Sequence, residues 1–395
     1  MKPIYADHAA TTRPAAEAVE AMQPWLAERF GNASSVHSRG EAAHDALEAA
    51  RLEVARLVGG QSEEIVFTAS GSEANNLALK GALKAADLAA PGAPGRSRLI
   101  VSAIEHPSVL ETARALEAEG RPLTVLPVDA DGLVDPARLA EALGPDVALV
   151  SVMWANNESG TIQPIAELAA LARAAGARFH TDAVQAAGKL PLRVDEAGVD
   201  LLSLAGHKFH GPQGAGALYV RRRTRLVPLL HGGHQERDRR AGTENLAAIV
   251  GLGLAAARAA RWAESAEPAR VDGLALRLLD GLADRVPGTR LRGPRVGRVP
   301  GLVNLGFDGV DGEAVLHELD LAGVTVSTGS ACSAASPGPS HVLIAMGCSP
   351  EEAHASVRVS LGAANQEADV DRILSVLPPI IERLRELGHP ARRTA

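Results

Sequence analysis

The chain has 395 residues, long enough for one large domain and a smaller companion. It is 46% hydrophobic but only 3% aromatic, so its cores must be built from Ala, Leu and Val. Its 40 basic and 47 acidic residues leave a net charge of -7, which argues against nucleic-acid binding as its main business. Two cysteines, Cys332 and Cys348, lack C-x-x-C spacing; that excludes a disulfide framework and a thiolate zinc site and fits a reducing cytoplasm. The N-terminus shows no apolar h-region, so no signal peptide is expected. The most apolar helix-like run, Leu246 to Ala257, is read as too short to span a bilayer.

In chain order, IYADHAATTRP predicts a short strand and a turn capped by Thr11 or Thr12, with nothing in it that demands chemistry. Apolar periodicity predicts a helix from Pro14 to Glu28. FGNASSVHSRG breaks it and serves as an N-cap loop for a helix from Gly40 to Leu57. Glu64 to Thr68 reads as a strand running into ASGSEANN, where small residues and a helix capped by Ser72 make a suitable anion site. Arg98 to Ser102 is a strand; His106 stands at its exit, before Pro107 at a helix start. A strand near Leu123–Pro127 and a helix from Pro136 lead to VALVSVMWANNESG, whose polar turn falls at the end of a parallel strand, where open α/β sheets place ligands. A helix over Ile165–Ala175 feeds a short strand ending near Asp182, with Gln185 three residues on.

The next stretch, LLSLAGHKFHGPQGAGALYV, opens as a strand, turns through Gly206, His207 and Lys208, and returns as a strand. A lysine at the end of a buried run suits Schiff-base chemistry, because desolvation readily lowers its pKa; a lone lysine would more often be a surface residue. LVPLLHGGHQERDRRAGTEN reads by composition as a mobile surface loop, helical from about Asn245. A long helix is expected over Ala255 to Arg285, then a Pro/Gly-rich connector and alternating strands and helices. From Ser327 to Ser340 the composition is almost wholly Ser, Gly, Ala, Thr and Pro, which favours an exposed loop. A free cysteine is usually buried, so Cys332 in such a loop is unusual; Cys348, in M-G-C-S-P, reads as structural. Arg358, in SVRVSLG, is either a half-exposed strand residue or a clamp for a carboxylate.

Taken together, these motifs resemble the class V aminotransferase group of pyridoxal 5'-phosphate (PLP) enzymes, and within it the cysteine desulfurases with a long, mobile loop. The likeness runs from about Tyr5 to Gly362, and G-S-A-C-S followed by P-S-H-V-L is its most specific part. It implies an α/β protein of PLP fold type I: a large domain over 16–264 with a mostly parallel seven-stranded sheet, and a smaller α+β domain from 1–15 and 265–395. It implies that Lys208 carries the cofactor, that Gly71 and Ser72 form its phosphate loop, and that His106 lies over its ring and moves protons. Asp182 would keep the pyridine nitrogen protonated, Asn157 and Gln185 would meet the phenolic oxygen, and His207 would flank the cofactor. Thr243 would reach the phosphate of the neighbouring subunit in a homodimer. Asn32 and Arg358 would hold the carboxylate of L-cysteine, and Cys332 would take its sulfur as a persulfide for an acceptor such as an iron–sulfur scaffold. No metal, nucleic acid or membrane is implied.

Two departures stand out. Ala205 occupies the position where the family often has a phosphate-binding Ser, and Gln213 the place of a frequent Lys. One lost hydrogen bond is worth about 0.5–1.5 kcal/mol. Rival readings are another PLP enzyme of the group, such as a selenocysteine lyase or an aminotransferase, and a non-catalytic sulfur-relay or scaffold protein. Neither the acceptor nor a selenocysteine activity is legible.

Overall fold

The computed structural model describes residues 2–89, 95–328 and 338–388. Its larger part is a seven-stranded sheet built from β2 (Ile65–Thr68), β3 (Arg98–Ser102), β4 (Leu123–Leu126), β5 (Val147–Ser151), β6 (Arg178–Asp182), β7 (Leu201–Ala205) and β8 (Gly216–Val220). The order is β2-β8-β7-β6-β5-β3-β4, parallel except for β8, which runs antiparallel to both neighbours. The central strands are buried at nearly every step because both faces are covered. Ile65, Phe67, Ile100, Val150, Leu202 and Tyr219 pack into one core, while their alternates Val66, Leu99, Leu149, Leu201 and Leu218 pack into the opposite one.

The smaller part is an antiparallel sheet of β9 (Thr289–Leu291), β10 (Leu302–Phe307) and β12 (Ser356–Ser360), in the order β12-β10-β9. β1 (Ile4–Tyr5) pairs in parallel with β11 (Val324–Thr325) nearby. Its core is separate: Ile4 and Ala6 join residues from Val271 to Ile381. A mostly parallel sheet with helices on both faces beside a small α+β unit is the fold-type-I architecture that the resemblance implies.

Three expectations need correction. The helix over Ala255–Arg285 is two helices, Leu246–Ala263 and Glu267–Arg285. Pro268 sits in the first turn of the second, where its missing N–H costs nothing, and it disfavours a helical residue before it. The apolar run at Leu246 does not stop at Ala257; the helix has 18 residues and is long and apolar enough to cross a membrane. Its length therefore excludes nothing. In this fold it packs on α1 (Ala16–Leu26) and α2 (Ser38–Val58), so closely that a Cβ on Gly253 would lie 2.6 Å from the Ala50 Cα. The stretch before that helix is more than a surface loop, because Glu236 is buried within it and paired with Arg51 on α2.

Candidate active site

The strand ends converge on one cavity of about 210 Å³. Asp182 ends β6, Ala205 ends β7, His106 follows β3 and Asn157 follows β5, and all four line it together with Gly71, Ser72, Gln185, His207 and Lys208. This is the carboxyl-end crevice of a parallel sheet. Asn32, Thr243 and Arg358 are not among its lining residues.

Lys208 closes a single 3-10 turn after β7 and is 9% exposed. Its ammonium Nζ donates to the carbonyl oxygens of Ala9 and Ala10, each at 2.7 Å. The N-terminal segment thus has a role its composition does not announce. Thr12 also bonds the His207 carbonyl through its N–H at 2.8 Å and its hydroxyl at 2.9 Å. The His207 Nδ1 lies 3.1 Å from Thr11 Oγ1, and burial, followed by Lys208 and Lys189, pushes its pKa down to about 4.

Asp182 is 4% exposed. Its Oδ1 accepts from the Val184 N–H at 2.9 Å, and its Oδ2 from the Asn75 amide at 2.7 Å. The same amide donates to Ser108 Oγ at 2.9 Å, and that hydroxyl is 2.8 Å from His106 Nδ1. Because the Ser108 backbone N–H also donates to Nδ1, at 3.1 Å, the neutral imidazole carries its proton on Nε2. Burial lowers the His106 pKa, against a raising contribution from Asp182. Asn75 and Ser108 were missed in the sequence; the signal was available, since Asn75 lies one helical turn after Gly71 and faces the same way.

A helix does begin at the stretch read as an anion site, but its cap differs from the expected one. Helix α3 (Gly71–Ala89) begins at Gly71, and Ser70, not Ser72, bonds its first turn, accepting the Glu73 N–H at 3.1 Å. A Cβ on Gly71 would stand 2.9 Å from Val184 Cγ2 and 3.3 Å from the Ala205 Cβ, so this helix end presses directly on the cavity wall. Gln185 lines the cavity, but its amide is engaged: Nε2 donates to the Ala9 carbonyl and Oε1 accepts from Lys189 Nζ, both at 2.8 Å. Burial, with Lys208 and Arg358 adding, pushes the Lys189 pKa down to about 7.

Arg358, on β12, is 1% exposed rather than half-exposed. It donates to Asp7 Oδ1 at 2.7 Å and to the Asn157 carbonyl at 2.9 Å, while its Nε has no partner among the described residues. Asn32 is exposed and its Oδ1 accepts from the Ser34 N–H, so this chain does not bring it to Arg358. Thr243 is likewise exposed. Cys332 lies outside the described residues, and burial raises the pKa of Cys348.

These groups fit pyridoxal 5'-phosphate chemically. One cavity offers an amine for its aldehyde, a carboxylate for its ring nitrogen and a helix N-terminus for its phosphate. The buried Asn75 Oδ1, without a partner among the described residues, leaves an acceptor at the same place.

The Aminotransferase class-V family model matches residues 4–373. The chain is 47% identical over 385 residues to cysteine desulfurase IscS of Dictyoglomus turgidum, covering 98% of this chain and 96% of that one. It is 46% identical over 389 residues to cysteine desulfurase NifS of Azotobacter vinelandii, covering 98% and 95%. Among solved structures, a NifS-like protein superposes with a TM-score of 0.89 at 34% identity, covering 97% of this chain and all of that one. A structure described as SspA in complex with cysteine gives 0.79 at 37% identity, covering 91% and 98%. With near-complete coverage on both sides and the strand-end cavity in place, the chain belongs to the cysteine desulfurase family of the class V aminotransferases.

Proposed function

We propose that this cysteine desulfurase binds pyridoxal 5'-phosphate through Lys208 and moves the sulfur of L-cysteine to Cys332. The observation that carries the reading is the single cavity shared by Lys208, Asp182 and His106, with Asp182 and His106 joined through Asn75 and Ser108. Bound there, the cofactor supplies an electron sink for the substrate carbons. Asp182 holds a proton at the ring nitrogen, fixed in place by Asn75 and the Val184 N–H. Lys208 provides the linking amine and afterwards moves protons. His106, with its proton on Nε2, serves as a second acid–base group. The helix N-terminus at Gly71 and Ser72 takes the phosphate, and His207 flanks it; Ala205 adds no hydroxyl there. Asn157 serves the phenolic oxygen, together with the second Nε2 N–H of Gln185, the first being given to Ala9.

Arg358 takes the substrate carboxylate with its remaining N–H groups while Asp7 holds it. The Cys332 thiolate attacks the substrate sulfur; an S–S bond forms, the substrate C–S bond breaks, and the carbon takes a proton to leave as alanine. The persulfide then passes to an acceptor protein such as an iron–sulfur scaffold. Thr243 and Asn32, exposed in one chain, complete the site from the partner of a homodimer. We assign residues 16–264 to the cofactor domain and 1–15 with 265–395 to the smaller one, following the break between the helices that end at Ala263 and begin at Glu267. A cytoplasmic location suits a free catalytic thiol.

The test is a visible spectrum of the purified protein, followed by L-cysteine with a reductant. A yellow protein releasing sulfide and alanine in equal amounts is expected. A colourless protein that PLP does not restore overturns the assignment of Lys208, and full sulfide production by Cys332→Ser overturns that of the nucleophile.

A further inference from the structure

Among the buried carboxylates that the mechanism does not use, Glu158 stands beside the site. Glu158 follows Asn157 in the turn after β5 and is 4% exposed. Its Oε2 accepts from the hydroxyl of Ser340 across a sequence gap of 182 residues. Ser340 is the N-cap of the helix His341–Ala345, where its Oγ also accepts from the Leu343 N–H at 3.2 Å. The next residue makes a second tie: His341 Nε2 donates to the Glu105 carbonyl at 2.9 Å. Glu105 immediately precedes His106, so this short helix is bonded to the two strand exits that carry His106 and Asn157. Val342 and Leu343 pack there against Ile104 and Met153.

The sequence upstream of Cys332 is fastened to the same place. Ser327 pairs with Arg358 through two backbone bonds, of 3.1 and 2.6 Å, and Arg358 in turn donates to the Asn157 carbonyl. Cys332 lies five residues after Ser327 and eight before Ser340. A fully extended chain would let it reach no more than about 18 Å from the first and about 29 Å from the second. Two fixed feet confine a nucleophile far better than one, because confinement raises its effective concentration at the reacting atom.

We propose that Glu158 and Ser340 are positioning residues for sulfur transfer: their bond fixes the downstream foot of the Cys332 segment against the site. This rests on Cys332 being the nucleophile. A buried carboxylate is retained here at some cost, since burial pushes its pKa up to about 7 against the lowering effects of Ser340 and Arg358. Its protein partners among the described residues are this hydroxyl and the Asn156 side chain, which accepts its backbone N–H at 2.7 Å.

The experiment compares Glu158→Leu, Glu158→Gln and Ser340→Ala holoenzymes with the unaltered protein and with Cys332→Ser. Each is read by cofactor absorbance, by kcat and KM for L-cysteine, and by hydrogen exchange of the peptide spanning 327–343. Glu158→Leu is expected to lower kcat about ten- to a hundredfold, the scale of a misplaced reacting group. Absorbance and KM should hold while exchange in that peptide quickens. Glu158→Gln keeps a carbonyl oxygen for Ser340 and should recover most of the loss. If Glu158→Leu does not fold, Ser340→Ala answers alone, with the same split between kcat and KM. Unchanged exchange and unchanged kcat, in a background where Cys332→Ser is inactive, would overturn the inference while leaving the nucleophile in place. An active Cys332→Ser would overturn the reading beneath it instead.

Discussion

Replacing Glu236 tests whether the segment before Thr243 is held in place from the protein interior. The side chains of Arg51 and Glu236 are 3% and 1% exposed. They meet bidentately at 2.6 and 2.9 Å, and Glu236 Oε2 also accepts the Phe67 N–H at 2.8 Å. Arg51 further donates to the Ile65 carbonyl at 2.9 Å and lies 4.6 Å from the centre of the Phe67 ring. The backbone pays for this: Glu236, Arg237 and Asp238 take φ values of 49°, 57° and 64°, a left-handed run costing about 1 kcal/mol or more per residue. Glu236→Ala leaves the buried guanidinium with the partly exposed Glu48 as its remaining carboxylate partner among the described residues, and should cost about 3–5 kcal/mol. For a unit of this size that is roughly 6–10 °C in Tm by calorimetry. Arg51→Met with Glu236→Leu removes both charges and should cost only about 1–3 kcal/mol, the loss of the acceptor for the Phe67 N–H. A single variant within 1 kcal/mol of the parent, or a double variant as unstable as the single, would refute the argument. Since Thr243 follows seven residues later, Glu236→Ala should also shed cofactor faster on dialysis.

Glu105 is fully buried, with its pKa pushed up to about 8, chiefly by burial. From about pH 4.5 to 8 the folded protein holds a proton that the unfolded chain releases, so its contribution falls as pH rises through that window. Glu105→Gln should therefore match the parent near pH 5 and exceed its stability at pH 9, by at most about 4 kcal/mol in urea unfolding. Asn75→Leu should cut kcat about tenfold and shift its pH profile, because Asp182 and His106 lose their link through Ser108; an unmoved profile counts against that link. Gly253→Ala should destabilise by about 1–3 kcal/mol through the Ala50 backbone. Gly273→Ala, in an exposed helical position with nothing within 4 Å, should stabilise by about 0.5–1 kcal/mol in the same melts.

Legibility followed the range of the interaction. The run RLIVS became β3 at the predicted residues, and VALVS became the strand expected before the polar turn, because burial on both faces writes itself as largely apolar sequence. Lys208, Asp182, His106 and Gly71 were found as motifs and do share a cavity. What escaped was set by partners distant in sequence. Arg51 and Glu236 are 185 residues apart, and neither stands out in a charged stretch of its own. Ser340 and Glu158 meet across a comparable gap. The split at Ser265 was missed for a local reason, since Pro268 lies inside an otherwise even helical pattern and weighs on the residue before it.

The N-terminal segment shows why such pairings concentrate at this site. Asp7 holds Arg358, the Ala9 N–H bonds Ser360 Oγ, and the Ala9 and Ala10 carbonyls receive Lys208. Ile4 and Ala6 belong to the small core, whereas Ala9 belongs to the large one. Six residues thus cross from one core to the other and meet the proposed carboxylate clamp and the proposed cofactor lysine on the way. A chain that must set an arginine on one sheet against a lysine on another needs a rigid bridge between them. The Asp7 carboxylate supplies it on the arginine side and the Ala9 and Ala10 carbonyls on the lysine side. Ala6, Ala9 and Ala10 of that bridge can therefore be small and plain, because there the main chain performs the task.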